Sequence, residues 1–445
     1  ESPTLAGRRS LLLGMSGLVV ACAGGPRPRP VTPAEIPTLT AQATQQPSNA
    51  QIHFRLAAAL MAAGRCDTAV VVANGAQMLA PGEALGPMVV GGCQEKDGRY
   101  DLAFATYTDF ANRYPQARGV AAIRALAQLA LRTQATRTAK LALARESTLT
   151  GLAPEPSTIA VLPMTIAGDS SLQPLSRGLA ELMLSDLAMV RSLRLLERIQ
   201  VGALLDELKL GQSGRADPST AARVGHLLRA ERMVQGVAAI TENGPVRMSA
   251  TVVRGDGTVR SGAQANGTFK QLLDLEKQLV FGLATELGIQ LTEAERQRIL
   301  RQGTKNLAAF LAYSQGLEAL DRGDYRAAAA AFGSAARSDP SFQQARQQQQ
   351  AAEAAPAVQA TPGDVVTVVQ AVEQIVPSLE PAADATLKQG TLDVSGTIGD
   401  VTGTIGDVKA QTGIGSTLAK PTPESQGISS VIQASGIIRI IFRLP

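Results

Sequence analysis

The middle of the chain alternates between two hydrophobic rhythms. Thr158–Met164 is a short apolar run with β-branched residues, ended by Pro163, and it predicts a fully buried strand. From Leu175 to Val190 the apolar positions Leu175, Leu179, Leu182, Leu184, Leu187 and Val190 form a helical stripe. Leu193–Arg198 predicts a second strand, and Ile199–Leu210 a helix with Val201, Leu204, Leu205 and Leu208 on one side. Asp217-Pro-Ser-Thr220 opens a further helix, Ala221–Ala230, with its proline where a helix start tolerates one. Met233–Ile240 and Val246–Val253 predict strands joined by the tight Glu242-Asn-Gly244 turn. A third strand follows the Asp256-Gly257 turn, over Thr258–Phe269, and a long helix starts at Gln271. The order β-α-β-α-α-β-β-β-α predicts an α/β sandwich, helices against one mixed sheet, over residues 155–290.

The flanks carry a different pattern. Gly64, Ala69, Ala73, Ala76 and Pro81 recur 34 residues later as Gly98, Ala103, Tyr107, Phe110 and Pro115. That is the period of tetratricopeptide-type helical hairpins. Small residues fall where paired helices cross, and proline ends the second helix. Arg118–Glu146 keeps helical periodicity without the Gly and Pro marks and is expected to act as a capping unit, completing a helical array over 49–150. The same offsets return at Gly323, Ala328, Phe332, Ala335 and Pro340, within a helical stretch 291–351 whose first helix opens with the capping box Thr292-x-x-Glu295. One hairpin cannot bury its own apolar face. It is expected to dock on the helix Gln271–Gly288 or on Thr292–Arg301.

At the start, Arg8-Arg9 precede the apolar run Leu11–Val20, too short to span a bilayer of ~30 Å as a helix but of the length of a secretory signal. Val19-Val20-Ala21-Cys22 resembles the lipobox of bacterial lipoproteins. The resemblance implies removal of residues 1–21 and acylation of Cys22, the thiol being the nucleophile that accepts the lipid. Ala23 lacks the Asp of an inner-membrane retention signal, so the outer membrane, at its periplasmic face, is the expected location, with surface exposure left open. Arg8-Arg9 also resembles part of a twin-arginine signal, so the export route stays open. Residues 22–48 hold Pro26, Pro28, Pro30, Pro33 and Pro37 and read as an extended, semi-rigid linker. At the other end, 352–445 reads as a low-complexity tail. Val394, Ile398, Val401, Ile405 and Val408 have heptad spacing but are interrupted by glycines. Gly436–Pro445 reads as a strand, with Ile438, Ile440, Phe442 and Leu444 on one face, which would pair with a sheet edge of this chain or of a partner.

Ile159-Ala-Val-Leu-Pro163, Leu195-Leu-Glu-Arg198, Leu204-Leu-Asp-Glu-Leu208 and Arg232-Met-Val-Gln-Gly236 resemble the curli-secretion lipoprotein family typified by CsgG, and more loosely the N-terminal domain of TolB-like proteins. The resemblance implies an α/β sandwich, lipid-anchored at the outer membrane, in a family whose best-known members form rings and insert β-hairpins into a secretion channel. Here only Thr241–Pro245 separates Ile240 from Val246, and a membrane hairpin needs two strands of ~9–11 residues. No such pair stands there or between Gly267 and Gln271. The fold class expected is therefore multidomain α and α/β: tetratricopeptide-type repeats flanking a CsgG/TolB-N-like sandwich, with a low-complexity tail.

Composition narrows the chemistry. With 3% aromatic residues, no Trp and a net charge of +4 spread along the chain, no basic face with interleaved aromatics marks a nucleic-acid site. The two histidines, His53 and His226, lie far apart in helical patterns, which argues against a histidine metal site or triad. No phosphate loop, metal-ligand spacing or nucleophile elbow occurs, so no catalytic, cofactor-binding or metal-binding residue is assigned. Glu197 and Arg198, at a strand-to-helix junction, read as a strand-end ion pair before they read as a ligand contact. With Cys22 acylated, Cys66 and Cys93 remain on neighbouring repeat helices as a candidate disulfide, two buried free thiols being the alternative. The function expected is a non-catalytic, outer-membrane-anchored adaptor or scaffold in a secretion, surface-fibre or motility assembly. The membrane is reached through the acyl chains on Cys22, and other envelope proteins through the repeats and the C-terminal strand, with a homo-oligomer left open. The alternative is a ring-forming subunit of a curli-like channel.

Overall fold

The computed structural model describes residues 30–209, 218–241, 244–259, 262–361 and 363–375, and the strand backbones 431–434 and 437–440. Cys22 and the segment 394–408 lie outside the described residues. Within residues 22–48, where an extended linker was expected, the described part forms a helix, α1 (Ile36–Gln45). Pro33 and Pro37 sit in first turns, where a missing N–H breaks no helical bond. Thr32 and Glu35 form a capping box, the Thr32 N–H donating to Glu35 Oε1 at 3.0 Å. Leu39 and Ala43 are buried, so the segment is held by packing as well.

Two hairpins follow, α2 (Ala50–Ala62) with α3 (Cys66–Leu79) and α4 (Leu85–Lys96) with α5 (Tyr100–Arg113). The expected third unit is instead one continuous helix, α6 (Val120–Ala144), and a single turn, α7 (Glu146–Leu149). Between Val120 and Ala144 neither Gly nor Pro interrupts the helical ladder, so nothing in the chain turns it back.

The sandwich begins with β1 (Glu155–Val161) and β2 (Thr165–Gly168). Both run parallel to the same central strand, one either side of Pro163, which cannot donate to the ladder. After α8 (Leu175–Leu187) come β3 (Arg194–Leu196), α9 (Arg198–Glu207), α10 (Pro218–Leu228), β4 (Ala230–Ile240), β5 (Pro245–Arg254), β6 (Ala263–Thr268) and α11 (Leu272–Glu286). Apart from the extra β2, this is the order the sequence predicts. The sheet reads β6-β5-β4-β1-β3, antiparallel from β6 to β4 and parallel from β4 to β3. Helices cover both faces. Ile159 and Val161 of β1 enter a core with α8 and α11, while Ala160 and Leu162 enter one with α9 and α10. This double burial is why the strand reads as a continuous apolar run rather than an alternation.

The chain then passes through α12 (Glu293–Arg301), started by the Thr292–Glu295 capping box, to the third hairpin, α13 (Leu307–Asp321) and α14 (Tyr325–Ser338). The docking surface differs from the one expected: α13 packs on α8. A Cβ at Gly178 of α8 would meet Ser314 Oγ at 1.9 Å, so only glycine allows the two helices to approach so closely. The three hairpins share one construction. Each first helix ends at a left-handed glycine, Gly64, Gly98 or Gly323, and the next N–H bonds a carbonyl five residues back, as Asp324 does to Ala319 at 2.9 Å. In the second and third, a glycine seats the partner's ring: a Cβ at Gly91 would strike Tyr107, and one at Gly316 would strike Phe332.

Regular structure does not fade at residue 352. Helix α15 (Gln343–Ala360) continues across Pro356 and α16 (Val365–Ile375) follows it. Ala354, Ala355, Val358 and five valines of α16 join the same core as α2 to α6. The helical layer is thus closed by residues from both sides of the sandwich. At the far edge, β7 (Val431–Ala434) and β8 (Ile437–Ile440) pair with each other, and β8 runs parallel to β3 on its free side.

The sandwich core also encloses charge. Asp186 of α8 and Glu276 of α11 are both 0% exposed, and Lys277 Nζ lies 2.5 Å from Asp186 and 3.4 Å from Glu276. Two carboxyls share one ammonium, so one proton is retained. Burial, then the Asp186 charge, push the Glu276 carboxyl well up, against the weaker pull of Lys277, while burial raises Asp186 to about 6. A native state that holds a proton the unfolded chain releases loses stability as pH rises from the ordinary carboxyl range toward the raised value. Glu276→Gln fixes the neutral form. In urea titrations, wild type is expected to lose stability as pH rises above the ordinary carboxyl range, while the variant holds level. Parallel curves would show that Glu276 is already ionised.

Candidate functional site

Where the helical layer meets the sandwich, a cavity of about 480 Å³ opens between α5, α6, α8, α9, α13 and α15. Its floor is the junction flagged in the sequence. Residue Glu197, in extended backbone, caps α9, and Arg198 is the first helical residue. Both are 6% exposed. The pair is therefore no surface contact, and the partner of Arg198 comes from the far end of the fold. Arg198 Nη1 and Nη2 donate to the two carboxylate oxygens of Asp321, at 2.7 and 3.0 Å, and Nε donates to Glu181 at 3.2 Å. Arg177 Nε donates to Asp321 Oδ2 at 2.7 Å. From the helical layer, Arg132 donates to the main-chain carbonyl of Asp321 at 3.0 Å and to that of Leu320. Burial works against every charge here. For Asp321 the two guanidinium groups outweigh it and hold the carboxyl below its ordinary value; for Arg198, Asp321 and Glu181 keep the cation firmly protonated.

The walls are different in kind. Phe104, Ile199, Leu317 and Leu320 are apolar, whereas Gln128, Gln344, Gln347 and Gln348 bring amides from α6 and α15. One oxygen of Gln128 is buried without a hydrogen-bond partner. Arg124 is met by carbonyls alone, Gln350 Oε1 at 3.3 Å and Pro115 O at 3.1 Å, and burial pulls its guanidinium down to about 10. An apolar slot rimmed by amides and one desolvated cation can hold a polar chain segment. It presents no nucleophile paired with a base. Among the described residues no group of three His, Cys, Asp or Glu side chains converges as metal ligands.

The sequence-selected positions are dispersed. Cys66 and Cys93 form a disulfide joining α3 to α4, with Cα atoms 5.5 Å apart, on the helical layer away from the cavity. His53 contacts the Pro47 carbonyl, and His226 lies on α10. Sequence reasoning found Glu197 and Arg198 but missed Asp321, Arg177, Arg132 and Arg124. The nearest signal was position: Asp321 stands two residues before the turn glycine Gly323, at the end of a helix that had to dock somewhere.

Comparison with known families places the sandwich. Residues 155–250 match the family described as the curli production assembly/transport component CsgG. The match runs from β1 into β5, about a fifth of the chain, and contains Arg177, Glu181 and Arg198 but not Asp321. No curated protein matches the chain.

The buried pair yields a direct expectation. Removing one partner of a buried ion network strands the others, at a cost of about 3–5 kcal/mol. Asp321→Asn leaves Arg177 and Arg198 facing each other and should lower unfolding stability by that amount in urea. Because the Asp321 carboxyl is depressed, its contribution is present above its ordinary range and fades as pH falls through the folded value. The deficit of the variant should therefore shrink in acid. A deficit under about 1 kcal/mol at neutral pH would mean the network is solvated.

Proposed function

We propose that this chain is a non-catalytic, lipid-anchored component of a cell-envelope assembly, in which a CsgG-like domain is built into a helical scaffold. The observation that carries the reading is the family match at residues 155–250, set inside helices that close over it from both sides in sequence. The hairpins are read as tetratricopeptide-type units: their 34-residue spacing, left-handed glycines and seated rings support that assignment. Such layers bind extended polypeptide, and the amide-rimmed cavity beside Arg198 is the surface offered here for it. The CsgG family points to outer-membrane-associated secretion or surface-fibre assembly, and the Val19–Cys22 lipobox gives the means of anchoring.

An adaptor is preferred to a channel subunit because the sandwich's own connections are short. The β4–β5 register closes on Ile240 opposite Val246, and the turn Phe269–Gln271 leads from β6 straight into α11.

The test is fractionation of cells making wild type or Cys22→Ala, followed by light scattering on the detergent-extracted wild type. Wild type in the outer-membrane fraction, the variant released, and a monomer or small oligomer are expected. An unchanged distribution of Cys22→Ala would refute the anchor. A sharp closed ring of many copies would favour the channel.

A further inference from the structure

A second cavity, of about 410 Å³, lies inside the helical layer, separate from the interface site. Its walls come from α2, α4, α6 and α16: Met61, Met88, Leu126, Leu129, Val365 and Val368. The volume falls within the roughly 300–1,000 Å³ of small-molecule sites. Methionine walls adapt to flexible apolar shapes. Gly92 helps keep the space open, since a Cβ there would meet Met61 Sδ at 3.0 Å.

Its polar lining residues are Glu95, Lys96 and Tyr107, with Gln359 and Thr361 at the end of α15. Lys96, exposed at the end of α4, donates to the Met61 carbonyl at 2.5 Å. Its neighbour Glu95 accepts from the Tyr107 hydroxyl at 2.8 Å, and burial pushes the Glu95 carboxyl up, which lessens its repulsion of an incoming anion. An apolar slot with an ammonium at its rim is complementary to an anionic headgroup on a hydrocarbon chain, and poorly suited to a sugar, nucleotide or polar peptide.

We propose that this cavity binds a single anionic acyl chain, a fatty acid whose carboxylate meets Lys96 and whose chain lies among Met61, Met88 and Leu129. The site is independent of the envelope-scaffold reading: it rests on the cavity and its rim.

The experiment is calorimetric titration of the full chain with laurate and with dodecanol, below the concentration at which either aggregates. Wild type should bind laurate saturably, one per chain. Leu129→Trp, which fills the cavity, should weaken binding of both ligands at least about tenfold. Lys96→Glu, at an exposed position, should weaken laurate by about threefold or more and leave dodecanol unchanged. Circular dichroism and thermal unfolding check that each variant is folded. No saturable laurate binding to wild type would overturn the proposal, as would a folded Leu129→Trp that binds as wild type does. Equal loss of laurate and dodecanol in Lys96→Glu would overturn the carboxylate contact.

Discussion

Asp321 is the residue through which the parts of this molecule are tied. It ends one helix of the third hairpin, takes two guanidinium groups from the sandwich on its carboxylate, and gives its main-chain carbonyl to Arg132 of the helical layer. Coulomb attraction between such groups is strong in a low-dielectric junction, but so is the cost of drying them. The network is therefore better understood as a device of specificity than as a source of net stability. Apolar faces such as α13 on α8 supply the burial; the charges fix which faces meet. A hairpin docked one turn away would leave Arg198, 6% exposed, with Glu181 alone and without the bidentate Asp321 carboxylate.

The sandwich was largely legible in the sequence because its signals are local. Double burial makes β1 a continuous apolar run, amphipathic stripes mark α8 and α9, and two tight turns fix the β4–β5–β6 meander. The left-handed glycines at 64, 98 and 323 were equally plain. What was not legible is long-range or compositional. An alanine- and glutamine-rich segment with a proline at 356 gives weak periodicity, yet α15 and α16 are integral to the core. The residue Pro37 looked like part of a linker, although a first helical turn accepts it. The long helix α6 read as an atypical capping unit of the repeats, and its continuity shows only in the lack of a glycine or proline to divide it. At the candidate site, Glu197 and Arg198 could be singled out by their junction, but the bidentate partner of Arg198, Asp321, lies more than a hundred residues on. Neither period nor propensity connects them.

These features bear on function together. The family match ends inside β5, and around it stands a helical layer stitched by the Cys66–Cys93 disulfide, closed by α15 and α16, and joined to the sandwich around an amide-rimmed cavity. The parallel β3 edge is short and is extended by β8. The faces of the sandwich and its β3 edge are thus covered by its own chain.

The central claim is that sandwich, hairpin and helical layer form one cooperative body through the Asp321 junction. Native-state hydrogen exchange of the wild-type protein in increasing urea tests it directly. The account predicts that amides of α6, α8, α9 and α13 merge into one opening reaction with a common free energy. Release of α13 to α15 at low urea, while α8 and α9 stay protected, would contradict it and leave the hairpin as an appendage.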